Sequence, residues 1–152
     1  MLLQPHQELE LVRYFTTRVR NNPSKAKRQS TFIDALQARG GVDIDFGHFL
    51  SKSMKCFSCG NEWLRHEEKK TDVNIAVRIL DDAYDDRFDK AIVVSGDSDL
   101  VPAIQSVYTR FPEKRIIVAF PPKRNSAELK LVAEKTLLLE KVRFDRVYCP
   151  IQ

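Results

Sequence analysis

Cysteine is scarce in this chain, and no apolar run approaches the length that a bilayer demands. The three cysteines are an odd number in a chain that reads as unsecreted, which argues for reduced thiols or a metal over a disulfide framework. The opening MLLQPHQELELV lacks the basic-then-apolar order of a signal peptide, and no later run is long enough to span a membrane. The expected location is therefore cytoplasmic. Internal repeats and low-complexity tracts are missing as well.

What is present is the composition of an ordinary globule. The 152 residues are 43% hydrophobic and 30% charged, enough for one domain over 1–152 with a real core. A net charge of +4 and a pI near 9.0 lean mildly towards polyanionic partners, and the distribution says more. Arg13, Arg18, Arg20, Lys25, Lys27 and Arg28 crowd the first part, Lys123 and Arg124 follow a later strand, and acids gather between Asp72 and Asp99.

The stretch around which the rest is arranged is AIVVSGDSDL, residues 91–100. Ala91, Ile92, Val93 and Val94 read as a strand buried on both faces, after which the chain turns at Ser95-Gly96 and presents Asp97 and Asp99 together. Ligands of open α/β sheets collect beyond the carboxyl ends of such strands. Two acids there, with Gly96 allowing a sharp bend, suit a hard divalent cation. The plainer reading is that they cap the next helix.

Residues 1–10 can close as a helix, and Leu11–Val19 reads as a strand. Asn21-Asn22-Pro23-Ser24 breaks it, with Ser24 the expected cap of a helix over Lys25–Arg39 that ends at Gly40-Gly41. Val42–Leu50 alternates as one half-exposed strand, in which Gly47 suggests a bulge. Residues 51–68 form an expected hairpin or flap carrying Cys56, Cys59, Trp63 and His66. Its Cys-x-x-Cys followed by Gly matches one zinc knuckle, for which His66 or His48 could supply further ligands to Zn²⁺; a metal-free hairpin is the plainer alternative. Thr71–Tyr84 is the clearest helix, capped by Thr71, with Val73, Ala76, Val77, Leu80, Ala83 and Tyr84 on one face. Asp72 stands in its first turn, where the helix dipole already favours an acid. A helix over Leu100–Arg110 buries Ala103, Ile104 and Val107; Arg115–Phe120 is a second buried strand; Ser126 opens a helix to about Lys135. A last short strand is expected at Val147-Tyr148-Cys149. Alternating strands and helices predict a three-layer α/β fold with a mostly parallel sheet and helices on both faces.

Glu68-Lys69-Lys70-Thr71-Asp72-Val73-Asn74-Ile75-Ala76, followed by Ser95-Gly96-Asp97-Ser98-Asp99-Leu100-Val101-Pro102-Ala103-Ile104, resembles the NYN domain family, ribonuclease-like proteins of the PIN superfamily. The resemblance covers roughly Leu11 to Pro150. It implies a PIN-like sheet and an acidic cluster, Asp72, Asp97 and Asp99, that holds Mg²⁺ or Mn²⁺ and cleaves RNA, single-stranded RNA being the expected substrate. Lys69, Lys70, Lys123 and Arg124 are then expected to contact flanking phosphates as sequence-blind anchors. The family begins with a central strand carrying an aspartate and then an asparagine, and this chain starts too late to contain it; Phe32-Ile33-Asp34 is only a partial mimic inside a helical pattern. The expectation is an amino-terminally truncated domain with reduced nuclease competence, whose open slot a homo-oligomer or a strand-supplying partner could fill.

Two other readings stay open. One is a non-catalytic RNA-binding or scaffold protein on the same fold. The other is a phosphotransferase of the haloacid-dehalogenase type, because Asp97-Ser98-Asp99-Leu100 resembles its Asp-x-Asp core, although the tail lacks a convincing downstream lysine with acids.

Overall fold

The computed structural model describes residues 5–20 and 22–139, and of residues 48–52 and 64–69 it describes the backbone only. The chain divides into two compact units, Met1–Ile75 and Ala76–Gln152. Both are built on parallel strands joined by helices, so the protein is of the α/β class.

In the first unit, strands β1 (Val12–Thr16) and β2 (Val42–Phe46) pair in parallel, Val12 opposite Val42 and Thr16 opposite Phe46. Parallel neighbours need a crossover, and helix α1 (Pro23–Arg39) supplies it. The helix starts earlier than expected. Asn22, not Ser24, is its cap: the Asn22 side chain accepts the Lys25 N–H at 2.9 Å, and Pro23 takes the first helical position, where a missing donor costs nothing. At the other end Gly40, with φ +74°, turns its N–H back to the carbonyls of Leu36 and Gln37.

The strand expected over residues 11–19 stops at Thr16 because the crossover helix captures its exit. Gln29 Oε1 accepts the Val19 N–H at 2.9 Å, while Gln29 Nε2 donates to the Thr17 carbonyl at 2.7 Å and to Thr16 Oγ1 at 3.1 Å. Backbone groups that a longer strand would have paired are satisfied by one side chain. Ile33 is buried in this unit, and Tyr14 and Phe32 meet edge to face at 5.6 Å. Two of the expected basic residues are engaged locally. Arg13 pairs with Asp43 across the strands at 3.0 Å, and the Arg18 guanidinium lies 4.6 Å over the Phe46 ring. No helix forms over residues 7–10; residues 1–4 lie outside the described ones.

Val42–Leu50 is two strands, not one. The Gly47 N–H donates to the Thr16 carbonyl at 2.9 Å and closes the β1–β2 pairing. Beyond it, β3 (His48–Lys55) pairs antiparallel with β4 (Glu62–Lys69), His48 opposite Lys69 and Lys55 opposite Glu62, so the hairpin covers 48–69.

Helix α2 (Thr71–Tyr84) spans the division between the units. The Lys70 carbonyl accepts its first bond, from the Asn74 N–H at 2.7 Å, and Lys70 itself has φ +76°, so Thr71 is the first helical residue and not the cap. The expected apolar stripe is rotated. Ile79 and Ala83 are the buried pair, whereas Val73, Val77 and Tyr84 are exposed. Tyr84 works at the surface through both of its chemistries: its ring meets Phe111 edge-on at 5.1 Å, and its hydroxyl accepts from Arg110 Nε at 2.7 Å.

The second unit carries β5 (Lys90–Val94), one 3-10 turn (Ser98–Leu100), α3 (Val101–Arg110), β6 (Arg115–Phe120), α4 (Ala127–Val132) and β7 (Lys135–Leu138). Its three strands are parallel in the order β5-β6-β7. Leu100, Ile104, Val107, Ile116, Val118 and Leu129 are fully buried around β6, the middle strand. The helix expected to reach Lys135 ends at Val132, because Ala133 turns to extended backbone (ψ 141°) and residues 135–138 pair with β6 instead. The Leu139 N–H then reaches the Phe120 carbonyl at 2.9 Å. The strand expected at 147–149 lies outside the described residues.

Two polar hubs fasten the amino-terminal end of β6. The Tyr108 hydroxyl donates to the Ile116 carbonyl and accepts the N–H groups of Ile116 and Glu134, each at 3.2 Å. Lys114 is 2% exposed; its Nζ donates to Asp86 Oδ1 at 2.6 Å and to the Phe88 carbonyl at 2.8 Å, and lies over the Phe88 ring. Among the described residues no helix is long and apolar enough to cross a membrane.

Candidate functional site

Two neighbouring strand exits in the second unit make up the candidate site. Val94 and Ala119 stand opposite each other at the carboxyl ends of β5 and β6, so residues 95–99 and 121–124 leave the sheet side by side. From β5, the Asp97 N–H donates to Ser95 Oγ at 3.1 Å, and Asp97 Oδ1 accepts the Asp99 N–H at 3.0 Å. Asp97 is thus the cap of the 3-10 turn that leads into α3, as the plainer reading held. That occupies one of its oxygens. Its Oδ2 and the whole Asp99 carboxylate take no hydrogen bond from the described residues, and neither acid is ion-paired there. Asp97 is half-buried and Asp99 exposed. Hard carboxylate oxygens with spare lone pairs fit Mg²⁺ or Mn²⁺ by donor type.

From β6, Pro121-Pro122-Lys123-Arg124 makes a tight turn closed by the Arg124 N–H on the Pro121 carbonyl at 3.0 Å. Lys123, at its third position, has φ +63°, a conformation that turns usually assign to glycine. The Arg124 stem packs on Gly96: a Cβ at position 96 would stand 3.0 Å from Arg124 Cβ. Gly96 was expected to permit a sharp bend, yet it is not among the glycines with positive φ. Its role is the close approach of the neighbouring turn. The sequence reading also missed Ser95, although a hydroxyl two residues before the acid is the pattern of a side chain that fixes a loop N–H.

The first unit holds the remaining candidates. Asp72 is exposed in the first turn of α2, where the dipole favours a negative charge. Lys70 is exposed with its left-handed backbone. The side chains of Lys69 and His66 lie outside the described residues; on β4 their backbones stand opposite His48 and Ser51. Cys56 and Cys59 occupy the loop of the β3–β4 hairpin. The Cys59 amide N–H, the Cys59 thiol and the Ser58 amide N–H all favour a negative Cys56 sulfur, and hold its pKa below the ordinary thiol value. Within neither unit do three His, Cys, Asp or Glu side chains among the described residues gather into a metal-binding group. The second unit offers an acid pair and the first a thiol pair.

Over 63% of its length the chain is 25% identical to the 6-hydroxy-3-succinoylpyridine 3-monooxygenase of Pseudomonas putida (strain DSM 28022 / S16), and it spans only 37% of that relative. A crystal structure of a protein of unknown function from Vibrio parahaemolyticus RIMD 2210633 superposes with a TM-score of 0.60 at 21% identity, over 86% of this chain and 69% of the other, a likeness of fold. The NYN domain model matches residues 4–140, which takes in both acidic motifs and the basic turn, and the chain therefore belongs to the NYN domain family, a PIN-like nuclease family.

Proposed function

We propose that the protein is a divalent-cation-dependent ribonuclease acting on single-stranded RNA, with Asp97 and Asp99 as its cation-holding acids and Asp72 as a third carboxylate that orients the attacking water. The observation that carries this is the pairing of strand exits in the second unit. One exit presents acid oxygens without a partner among the described residues, and the other seats a basic side chain against Gly96.

Mg²⁺ or Mn²⁺, when bound, supplies charge neutralisation at a phosphodiester and a more acidic water. The chain's own residues do the rest. Ser95 fixes the Asp97 N–H, and Asp97 Oδ1 fixes the Asp99 N–H, so both carboxylates start from a defined loop. Lys123 and Arg124 attract and register the phosphates that flank the cleaved bond without reading bases, and Lys69 and Lys70 are assigned the same task. Asp72 enters this reading through the family resemblance of its motif.

The test is Mn²⁺-dependent cleavage of a labelled single-stranded RNA by the wild type and by Asp97→Asn. The expected result is a loss of about a hundredfold or more in the variant, with RNA binding retained. Equal cleavage by both proteins overturns the assignment of the site. Salt-sensitive RNA binding by a wild type that never cleaves is the outcome that favours the alternative, a non-catalytic RNA-binding or scaffold protein on this fold.

A further inference from the structure

The hairpin loop between β3 and β4 has a chemistry that RNA hydrolysis does not use. Its frame is closed twice, by the Cys56 N–H on the Asn61 carbonyl at 2.8 Å and the Gly60 N–H on the Cys56 carbonyl at 2.9 Å. Gly60 has φ +70°, so the residue after the second cysteine is one that permits the left-handed backbone. Both cysteines therefore stand on one tight turn at the tip of the hairpin. A thiolate is the form that binds a thiophilic metal. Two cysteines at this spacing on one turn are the knuckle through which structural zinc takes two of its four ligands, with bonds of about 2.3 Å.

The loop supplies two sulfurs, and a closed structural zinc site needs four ligands. Among the described residues no third ligand joins the pair. Glu62, the nearest acid along the chain, faces Lys55 across the hairpin base at 3.4 Å. His66 stands four residues along β4 from Glu62, a rise of about 13 Å. The tip itself is open: Cys59 is exposed, and Phe57, the apolar residue between the cysteines, is fully exposed. Two such tips meeting about a two-fold axis would bring four sulfurs together and cover both phenylalanines.

We propose that Cys56 and Cys59 form half of a zinc site that is completed by the same two residues of a second copy, so that one Zn²⁺ joins two chains tip to tip. The site is independent of the acids of the second unit, and its test does not involve RNA. Full-length protein, reduced with a non-chelating phosphine and stripped of metal, is titrated with Zn²⁺, and with Co²⁺ as a spectroscopic probe, while its mass is followed by light scattering. The expected result is one metal per two chains, the thiolate charge-transfer and tetrahedral bands of a four-sulfur Co²⁺ centre, and a dimer that a chelator returns to monomer. Cys59→Ser is expected to lose both metal and dimer with an unchanged far-ultraviolet circular dichroism spectrum. One metal per monomer, no uptake at all, or zinc-dependent dimers of Cys59→Ser would each overturn the proposal.

Discussion

The two units hold parallel strands together by different means. In the second, β6 lies in a continuous apolar packing of Ile104, Val107, Ile116, Val118 and Leu129, all fully buried. In the first, Ile33 is the one buried apolar residue among the described side chains, and β1 and β2 are fastened by the Gln29 clasp, the Arg13–Asp43 pair and the Arg18 contact with Phe46. Close packing resists displacement in every direction, whereas clasps resist it only along their bonds. The acid pair is mounted on the densely packed unit, where a loop leaving a buried strand keeps its position.

Substitutions can break or sharpen this contrast. Ile104→Ala should cost about 3–4 kcal/mol in urea unfolding, and Ile33→Ala about 2. Equal costs for the two would end the distinction. Lys114→Met should cost about 2 kcal/mol, because the Phe88 carbonyl loses its charged donor; a negligible change would leave Tyr108 and the apolar packing to fasten that end. Gln29→Ala should cost about 1–2 kcal/mol and speed hydrogen exchange at the Val19 amide ahead of amides in β6. Lys123→Gly should stabilise by about 1 kcal/mol, through relief of its left-handed backbone, while it lowers RNA affinity; a destabilised variant would remove strain from the account of that turn. Lys55→Ala should change stability by less than about 0.5 kcal/mol, since both it and Glu62 are exposed.

The second unit was the more legible in sequence, and the same contrast explains why. Continuous apolar runs announced β5 and β6, and the inward set Ala103, Ile104 and Val107 is buried as expected. In β6 and α3 local pattern and tertiary burial agree, whereas β5, read as buried on both faces, buries Val93 and leaves Val94 exposed. In the first unit polar tertiary contacts decided the boundaries: Gln29 ends β1, and the Gly47 bond to Thr16 separates two strands that read as one. Such bonds join positions far apart in the chain and leave no periodic trace. β7 escaped for a related reason, since Lys135–Leu138 continues a helical pattern until pairing with β6 claims it. At the site, Asp97 and Asp99 were legible as a motif after a buried strand. The setting of Arg124 was not, because it depends on which strand lies beside β5.

The bare backbone at position 96 has one more consequence. Two loops far apart in the chain are packed closely here, with Arg124 Cβ 3.0 Å and Arg124 Cδ 3.7 Å from where a Cβ on residue 96 would stand. A bulkier residue at 96 evicts the arginine stem before it disturbs either carboxylate, so an engineer who wishes to change how this surface grips a polyanion should rebuild the 121–124 turn first and leave the acids alone.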